Sequence, residues 1–356
     1  MKTGYTIVTA NYLAQAKTVA NSFIAHNPDY SFVICLVDKI NGQFDINDFY
    51  PHEILEVETL NISYFAEMFE RYNMFELCNA LKPFFAEHLY QRSSDVTIII
   101  YLDSDIMVFD SFTYVEECLK DYAICLTPHL LSTIPEDDCQ PGENGFLNAG
   151  IYNGGFFAIS TDDEAKKFIR WWKKKLRHYC IVNFCEGLFV DQIWLNFVPL
   201  FFEKVFIIRH LGYNLAYWNF HERSFTNGQK DSYLISNKFP LVFFHFSGYN
   251  FNDPVSISKF QNRYSFEQSP DMLPLFQEYH RIVIANQFHK YNQVDCYYVV
   301  QKKLLEEQQR KLLEEQQRQQ ALIEIQRRNE LGMTKRFLYA IIRRTKNKLN
   351  SSFPDI

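Results

Sequence analysis

The sequence predicts an α/β fold: a parallel, doubly wound sheet flanked by helices, with a helical extension at the C-terminal end. Three observations predict it. Apolar runs rich in β-branched and aromatic residues alternate with segments of helical spacing as far as residue 105, the order that builds strand–helix–strand units. Two of those runs end in acids, at Asp38 and at Asp103 and Asp105. That edge is where open α/β sheets place their ligands. Beyond about residue 300 the composition turns to strong helix formers.

The elements follow in order. Residues 5–10 read as the first strand. Residues 13–26 carry apolar positions at helical spacing and stop before Pro28. Residues 31–38 are the second strand. Residues 63–91 read as mostly helical, with Pro83 opening a new turn. Val96-Thr-Ile-Ile-Ile-Tyr-Leu-Asp103-Ser-Asp105 is the third strand with its terminal acids. No GxGxxG or Walker loop follows the first strand, so dinucleotide and P-loop readings are weak. Residues 151–160 enclose Asn153-Gly154-Gly155, read as a tight turn within an apolar run. Glycine there permits a positive φ or the close approach of a ligand to the backbone. Ser160 or Thr161 is the expected cap of a helix running to about Tyr179, with Glu164 closing a capping box. Asp191-Gln192 stands beside large apolar residues. Residues 241–249 form another strand, ending in His245 and then Gly248.

Composition narrows the function. The net charge of −6 argues against a nucleic-acid binder. The charge is uneven: six cations and one acid lie beyond residue 333, which leaves −11 on the rest of the chain. The eight cysteines form no CxxC pair and no zinc spacing. Met1-Lys-Thr-Gly leads straight into a strand with no leader pattern, so a reducing cytoplasm is the expected compartment. Residues 193–208 are the most apolar window, and Asn196, Pro199, Glu203 and Lys204 break it as a membrane span.

The chemistry concentrates at Asp103 and Asp105. In an extended chain these two side chains share a face and can meet one ion. Hard oxygens suit Mg²⁺ or Mn²⁺, ions that commonly bridge to phosphate oxygens. A lone histidine in an aromatic strand is ordinarily a hydrogen-bonded core residue. His245, however, ends its strand and precedes a glycine by three residues. His plus two Asp is a sensible set for Mn²⁺.

At this point the residues resemble glycosyltransferase family 8. The first strand, Asp103-Ser-Asp105, Asn153-x-Gly155, Asp191-Gln192 and His245-x-x-Gly248 occur in that family's order, over roughly residues 5–265. The segments from Tyr213 to Arg223 and from Phe243 to Gly248 resemble bacterial transferases of surface-polysaccharide assembly. The resemblance implies a GT-A (Rossmann-like) mixed sheet and a retaining, metal-dependent hexosyl transfer. The donor would be a nucleotide sugar of the UDP type, the acceptor a glycan or lipid-linked sugar. It implies Asp103, Asp105 and His245 as ligands of Mn²⁺ or Mg²⁺. Ala10, Asn11 and Tyr12 match the loop that contacts the nucleoside, with Tyr12 placed to stack on uracil. Asp38 matches a base or ribose contact, Lys82 a cation on the donor's phosphate or sugar, and Asp103 and Gly248 further donor contacts. Asp191, Gln192 and Asn153 match residues beside the transferred sugar. One departure stands out. The family continues His-x-x-Gly towards a lysine that grips the diphosphate, and here Phe251 stands in that place. Arg223 and Lys259 are the candidate replacements.

The organisation expected is a GT-A domain over 1–270, a helical connector over 271–300, a charged spacer helix over 301–333 and a basic amphipathic tail over 334–356. Lys303-Leu-Leu-Glu-Glu-Gln-Gln-Arg310 repeats at once as residues 311–318. An eight-residue period drifts about 80° per repeat on a 3.6-residue helix, so a solvated spacer is expected rather than a coiled coil. In the tail, Phe337, Leu338, Ile341, Ile342 and Leu349 lie among the six cations, a pattern that fits either an anionic membrane surface, at the inner face of the membrane, or the acidic body of the chain itself. Two other functions share these features. A haloacid-dehalogenase-type phosphatase uses strand-Asp-x-Asp, but Met107 replaces its usual Thr or Val and no Gly-Asp motif follows. A non-catalytic sugar- or lipid-binding module would need the carboxylates without turnover.

Overall fold

The structure is a computed structural model. It describes residues 1–40, 42–227 and 233–350, with side chains as far as residue 346. The chain forms two compact units, Met1–Val299 and Val300 onward.

The first unit is built on a seven-stranded sheet. Its strands in chain order are β1 (Lys2–Val8), β2 (Tyr30–Leu36), β3 (Glu53–Glu56), β4 (Ile98–Leu102), β6 (Ile124–Pro128), β7 (Tyr152–Ser160) and β10 (Val205–Ile207). Across the sheet they run β10-β6-β7-β4-β1-β2-β3. All neighbouring pairs are parallel except those of β7, which runs antiparallel to both β4 and β6. The sheet is therefore mixed. Asn153-Gly154-Gly155 corrects the expected turn: the three residues lie in the extended β7, and neither glycine has a positive φ.

Alternation along the strands feeds two cores. Ile100, Leu102, Phe156 and Ala158 face one side, with α1 (Leu13–His26) against them. Ile99, Tyr101, Phe157 and Ile159 face the other, covered by helices from α2 (Phe65–Arg71), α3 (Met74–Ala80) and α4 (Lys82–Gln91). Helix α1 ends where Asn27 turns its side-chain amide onto Phe23 O at 2.9 Å, one residue before Pro28. The short helices α5 (Thr113–Asp121) and α6 (Glu143–Ala149) follow β4 and β6. Helix α7 (Asp163–Tyr179) buries Phe168, Trp172 and Leu176 in the second core. Its cap is Asp162, whose carboxylate accepts from Ala165 N at 2.9 Å, rather than Ser160 or Thr161. Thr161 instead donates to Val96 O.

The strand that carries Asp103 and Asp105 is interrupted. After β4 the chain turns and resumes as β5 (Ile106–Val108), outside the large sheet. Small strands fill the interval before its partner: β8 (Val182–Asn183) pairs with β9 (Leu188–Phe189), and β11 (Phe225–Asn227), β12 (Tyr233–Ile235) and β13 (Phe239–Pro240) form a three-stranded sheet. The partner of β5 is β14 (Phe243–His245), antiparallel, with His245 opposite Ile106. The short α8 (Val198–Phe201) precedes β10, and α9 (Leu273–Ala285) and α10 (Phe288–Tyr291) pack beside α1. Helix α11 (Tyr297–Asn350) begins in this unit.

The second unit is the remainder of α11. Ion pairs at i,i+4 run along it: Glu307–Lys311 at 2.7 Å, Arg310–Glu314 at 3.9 Å and Glu324–Arg328 at 2.8 Å. Such pairs support a solvent-exposed helix, and Leu312, Leu313, Leu322, Ile323, Phe337 and Leu338 are exposed along it as well. No helix among the described residues is long and apolar enough to cross a membrane. The side chain of Leu349 lies outside the described residues.

Candidate active site

Backbone pairing brings together Asp103, Asp105 and His245, the trio expected to hold a metal. Asp103 N donates to Gly155 O at 2.8 Å, which ties the end of β4 to β7. Phe246 N donates to Asp105 O at 2.8 Å, so the β5–β14 ribbon delivers His245 beside Asp105. His245 Nε2 lies 3.0 Å from Asp105 Oδ1 and 4.0 Å from Asp103 Oδ2. One ligand atom from each of the three lies within 4.8 Å of the others. The imidazole is buried, edge-on to Trp218 at 5.2 Å, while both carboxylates are partly open to solvent. Burial works against both charges. Even so, Asp105 holds the imidazole above its ordinary range, and the imidazole holds Asp105 below the usual carboxylate range.

Gly155 forms the floor. A Cβ there would fall 2.5 Å from His245 Cε1, 2.8 Å from Asp103 Oδ2 and 2.8 Å from Asn153 Oδ1. The three side chains converge on a space that any residue but glycine would fill. Two carboxylates and an imidazole around such a space fit Mn²⁺ or Mg²⁺.

A buried polar group backs this trio. Lys82, the first residue of α4, lies almost wholly inside the protein. Its ammonium donates to Gly154 O at 2.8 Å and sits 3.0 Å from Asp191 Oδ2 and 3.5 Å from Asp103 Oδ1. It also lies 4.7 Å above the Tyr101 ring. Burial alone would lower its pKa, but Asp103 and Asp191 carry it above the ordinary value. Burial pushes Asp191 up to about 6, against the pull of Lys82 and helped by the charge on Asp103. Tyr101 donates its hydroxyl to Asp103 Oδ1 at 2.5 Å, and Tyr5 donates to Lys82 O at 2.8 Å.

Gln192 and Asn153 are locked together beside Asp191. Gln192 Oε1 accepts from Gly154 N at 2.8 Å and from Asn153 Nδ2 at 3.4 Å, while its Nε2 donates to Ala149 O at 3.0 Å. Asn153 Oδ1 accepts from Gly155 N at 3.1 Å. His129, which the sequence reading missed, completes the group. Burial pushes its imidazole down to about 4. The ring is therefore neutral, and its neighbours fix the tautomer: Nδ1 donates to Ile151 O at 3.1 Å and Nε2 accepts from Asn153 Nδ2 at 3.0 Å. The available signal was its place just past an apolar strand, the position that marked Asp38 and Asp103.

The remaining expected residues divide. Ala10, Asn11 and Tyr12 form one 3₁₀ turn after β1. Ala10 is buried, Asn11 Oδ1 accepts from Thr9 Oγ1 at 2.6 Å, and Tyr12 is half exposed. Burial and then the charge of Asp105 raise the Tyr12 phenol, which places it in the field of the trio. Asp38 is buried and spends its oxygens on the backbone, accepting from Ala10 N, Lys39 N and Tyr297 N at 3.2, 2.9 and 2.6 Å. Gly248 has a φ of +75°, and its carbonyl accepts from Lys259 N at 3.1 Å. Phe251 packs among Tyr249, Tyr279, His280 and Phe288. Arg223 is buried and donates to the carbonyls of Leu211 and Tyr213 and to Glu222.

Comparison with known proteins gives distant likenesses. No family model matches the chain. Two uncharacterized proteins of Bacillus subtilis strain 168 are similar in sequence. YfnF is 24% identical over 277 residues, covering 77% of this chain and 89% of its own. YfnD is 23% identical over 250 residues, covering 68% and 76%. Among solved structures, the galactosyltransferase LgtC in complex with donor and acceptor sugar analogs has a TM-score of 0.48 at 15% identity, over 80% of this chain and 96% of that one. The glycosyltransferase GlyE of Streptococcus pneumoniae TIGR4 has a TM-score of 0.44 at 15% identity, over 83% and 65%.

Proposed function

We propose that this chain is a retaining, metal-assisted glycosyltransferase of the GT-A type. It would move a hexosyl group from a UDP-sugar to a glycan or lipid-linked acceptor of surface-polysaccharide assembly. The observation that carries the reading is the convergence of Asp103, Asp105 and His245 over Gly155, beside the buried Lys82–Asp191–Gln192–Asn153 group. A phosphate-bearing donor needs a cation at its leaving group, and the trio is built to hold one. When bound, the divalent ion supplies Lewis-acid stabilisation of charge on the departing diphosphate.

The chain's own residues supply the rest. Asp103, Asp105 and His245 hold the ion. Lys82 spends its contacts on Gly154, Asp103 and Asp191, so it positions the two carboxylates rather than reaching the donor. Asp191 and the fixed amide dipole of Gln192 face the sugar and stabilise the positive charge of an oxocarbenium-like state. Asn153, oriented by neutral His129, holds Gln192 in place. Tyr12 offers its exposed ring to the base. In the transfer, the bond between the anomeric carbon and the diphosphate oxygen breaks. A bond to the acceptor oxygen forms on the same face, and the acceptor's proton passes to the departing phosphate oxygen. The enzyme would work in the cytoplasm at the inner face of the membrane, with the basic tail over 334–349 lying against anionic lipid.

The test is a donor screen. Purified protein with Mn²⁺ and a panel of nucleotide sugars is scored for release of nucleoside diphosphate. Release from one donor is expected, abolished by chelator and reduced more than ~10²-fold in Asp105→Ala. Phosphate released from phosphate esters, without sugar transfer, would favour a phosphatase and sink the proposal.

A further inference from the structure

Helix α7 and the segment after Gln192 combine unmatched cations with exposed aromatic and aliphatic side chains. The helix carries seven Lys or Arg residues against two acids, Asp163 and Glu164, on a chain whose net charge is −6. Three of the cations are matched: Lys167 by Glu164 at 3.0 Å, Arg177 by Glu67 at 3.0 Å, and Lys173 by Glu87. Among the described residues, Lys166, Arg170, Lys174 and Lys175 have no acidic partner. Arg170 and Lys174 are one turn apart and exposed.

Beside this basic stripe runs a chain of aromatic rings. Trp171 on α7 meets Trp194 at 6.4 Å and Phe201 at 5.7 Å. Trp194 meets Phe197 at 6.4 Å and Tyr179 at 6.0 Å, and Phe197 stacks on Phe201 at 5.2 Å. Lys175 Nζ lies 5.1 Å over the Trp194 ring, joining the two features. Phe197, Leu200 and Phe201 come from the turn and short helix that follow Gln192. They are exposed by 42%, 77% and 55%, and Tyr179 by 49%. Single exposed apolar residues are ordinary, but a contiguous run of them is a contact surface. Glu203, whose N–H donates to Glu164, marks its acidic margin.

We propose that this face docks on an anionic lipid bilayer. Leu200, Phe197, Phe201 and Tyr179 would enter the boundary between headgroups and acyl chains. Trp171 and Trp194 would sit at headgroup level, with Arg170, Lys174 and Lys175 against the anionic headgroups. Amphipathic aromatics beside unmatched cations are the composition that such a boundary favours. A second copy of the chain is the poorer occupant. A two-fold interface sets the same patch against itself, and here that would oppose two basic helices.

The test separates this face from the basic tail and uses the full chain throughout. Flotation is measured with vesicles of neutral phosphatidylcholine, alone or with phosphatidylglycerol, and tryptophan quenching with brominated acyl chains. Trp171 and Trp194 are half-buried at the patch, whereas Trp172 and Trp218 are buried. The expected result is binding that requires the anionic lipid, with tryptophan quenching. Arg170→Glu/Lys174→Glu and Leu200→Ser/Phe201→Ser should each reduce binding about tenfold or more and abolish quenching at unchanged thermal stability. Arg343→Glu/Arg344→Glu should leave the quenching of bound protein in place. Failure to float, flotation without quenching, equal binding to neutral vesicles, or binding untouched by both patch variants would each overturn the proposal. So would a dimer in light scattering that Leu200→Ser/Phe201→Ser converts to monomer.

Discussion

Replacing Gly155 with alanine should cost this protein the proposed metal site before its fold. The backbone of Gly155 is ordinary extended strand, so alanine meets no conformational barrier. The obstacle is space. The new methyl would stand 2.5 Å from His245 Cε1 and 2.8 Å from Asp103 Oδ2. Ordinary carbon contacts begin near 3.4 Å, so the imidazole must retreat by roughly 0.9 Å and the carboxylate by roughly 0.6 Å. His245 has little room, because it is buried against Trp218. Metal–ligand distances tolerate about 0.2 Å. Displacing two of three ligands by several times that should weaken Mn²⁺ binding at least 10–100-fold, the range seen even when only outer-shell partners are lost. Overpacking a strand of this kind costs about 1–3 kcal/mol, which a domain of this size should survive. The assay is Mn²⁺ titration by calorimetry on variant and wild type, with thermal melts to confirm folding. Gly145→Ala is the control. Its Cβ meets nothing closer than 3.6 Å, and its helical position favours alanine by roughly 0.5–1 kcal/mol. A folded Gly155→Ala protein binding Mn²⁺ within twofold of wild type would refute the reading of Gly155 as the floor of a metal site.

Four further outcomes follow from the geometry. Asp191→Asn and Gln192→Ala should each lower kcat by about tenfold or more with donor KM little changed, as for groups that act in the transition state, and the product sugar should keep its anomeric configuration by NMR. Lys82→Met strands two carboxylates around a buried site and should cost about 3–5 kcal/mol in urea denaturation. His129 is held neutral with a folded pKa of about 4, below its unfolded value near 6.5. Its contribution to stability is therefore complete above pH 6.5 and is lost as pH falls towards 4. Denaturation should show about 2 kcal/mol lost between pH 6.5 and 5, and His129→Gln should flatten that slope. Arg343→Glu/Arg344→Glu in the full chain should weaken flotation on anionic vesicles and leave nucleoside diphosphate release unchanged.

What the sequence made legible was local. The span 13–26 is the helix observed, because Pro28 and Asn27 punctuate its end within two residues. The first strand starts earlier than expected, at Lys2, and takes in Gly4. In place the glycine lets β1 approach the Phe32 ring, which a Cβ would meet at 2.7 Å. Asp103 and Asp105 were legible from the apolar run they close. Other features depend on pairing between distant segments. The antiparallel direction of β7 turned an expected Asn-Gly-Gly turn into a strand, since glycine marks a close approach as readily as a bend. No local pattern brings His245 to Asp105. The β5–β14 ribbon does that across more than a hundred residues, and the sequence pointed to it only through His245's place at a strand end before Gly248 and the order of motifs in the family resemblance. His129 carried no motif and went unnoticed.

The charge balance of the site bears on the departure at Phe251. Asp103, Asp105 and Asp191 are answered by Lys82 and, when the trio is loaded, by a divalent ion held partly through a neutral imidazole. Three negative charges thus meet three positive ones before any donor arrives. Under the proposed function, a diphosphate would then bring uncompensated charge, and in a partly buried site that charge needs a further cation or a row of N–H donors. Phe251 offers neither, being packed into an aromatic cluster. Arg223 is equally committed, since its guanidinium is buried against two carbonyls and Glu222. Lys259 differs from both. Its backbone N–H is pinned to Gly248 O, three residues from His245, while its side chain is exposed and, among the described residues, rests only against the Phe260 ring at 5.0 Å. If a cation from this segment meets the diphosphate, Lys259 is the one whose charge the fold has left uncommitted beside the His-x-x-Gly turn.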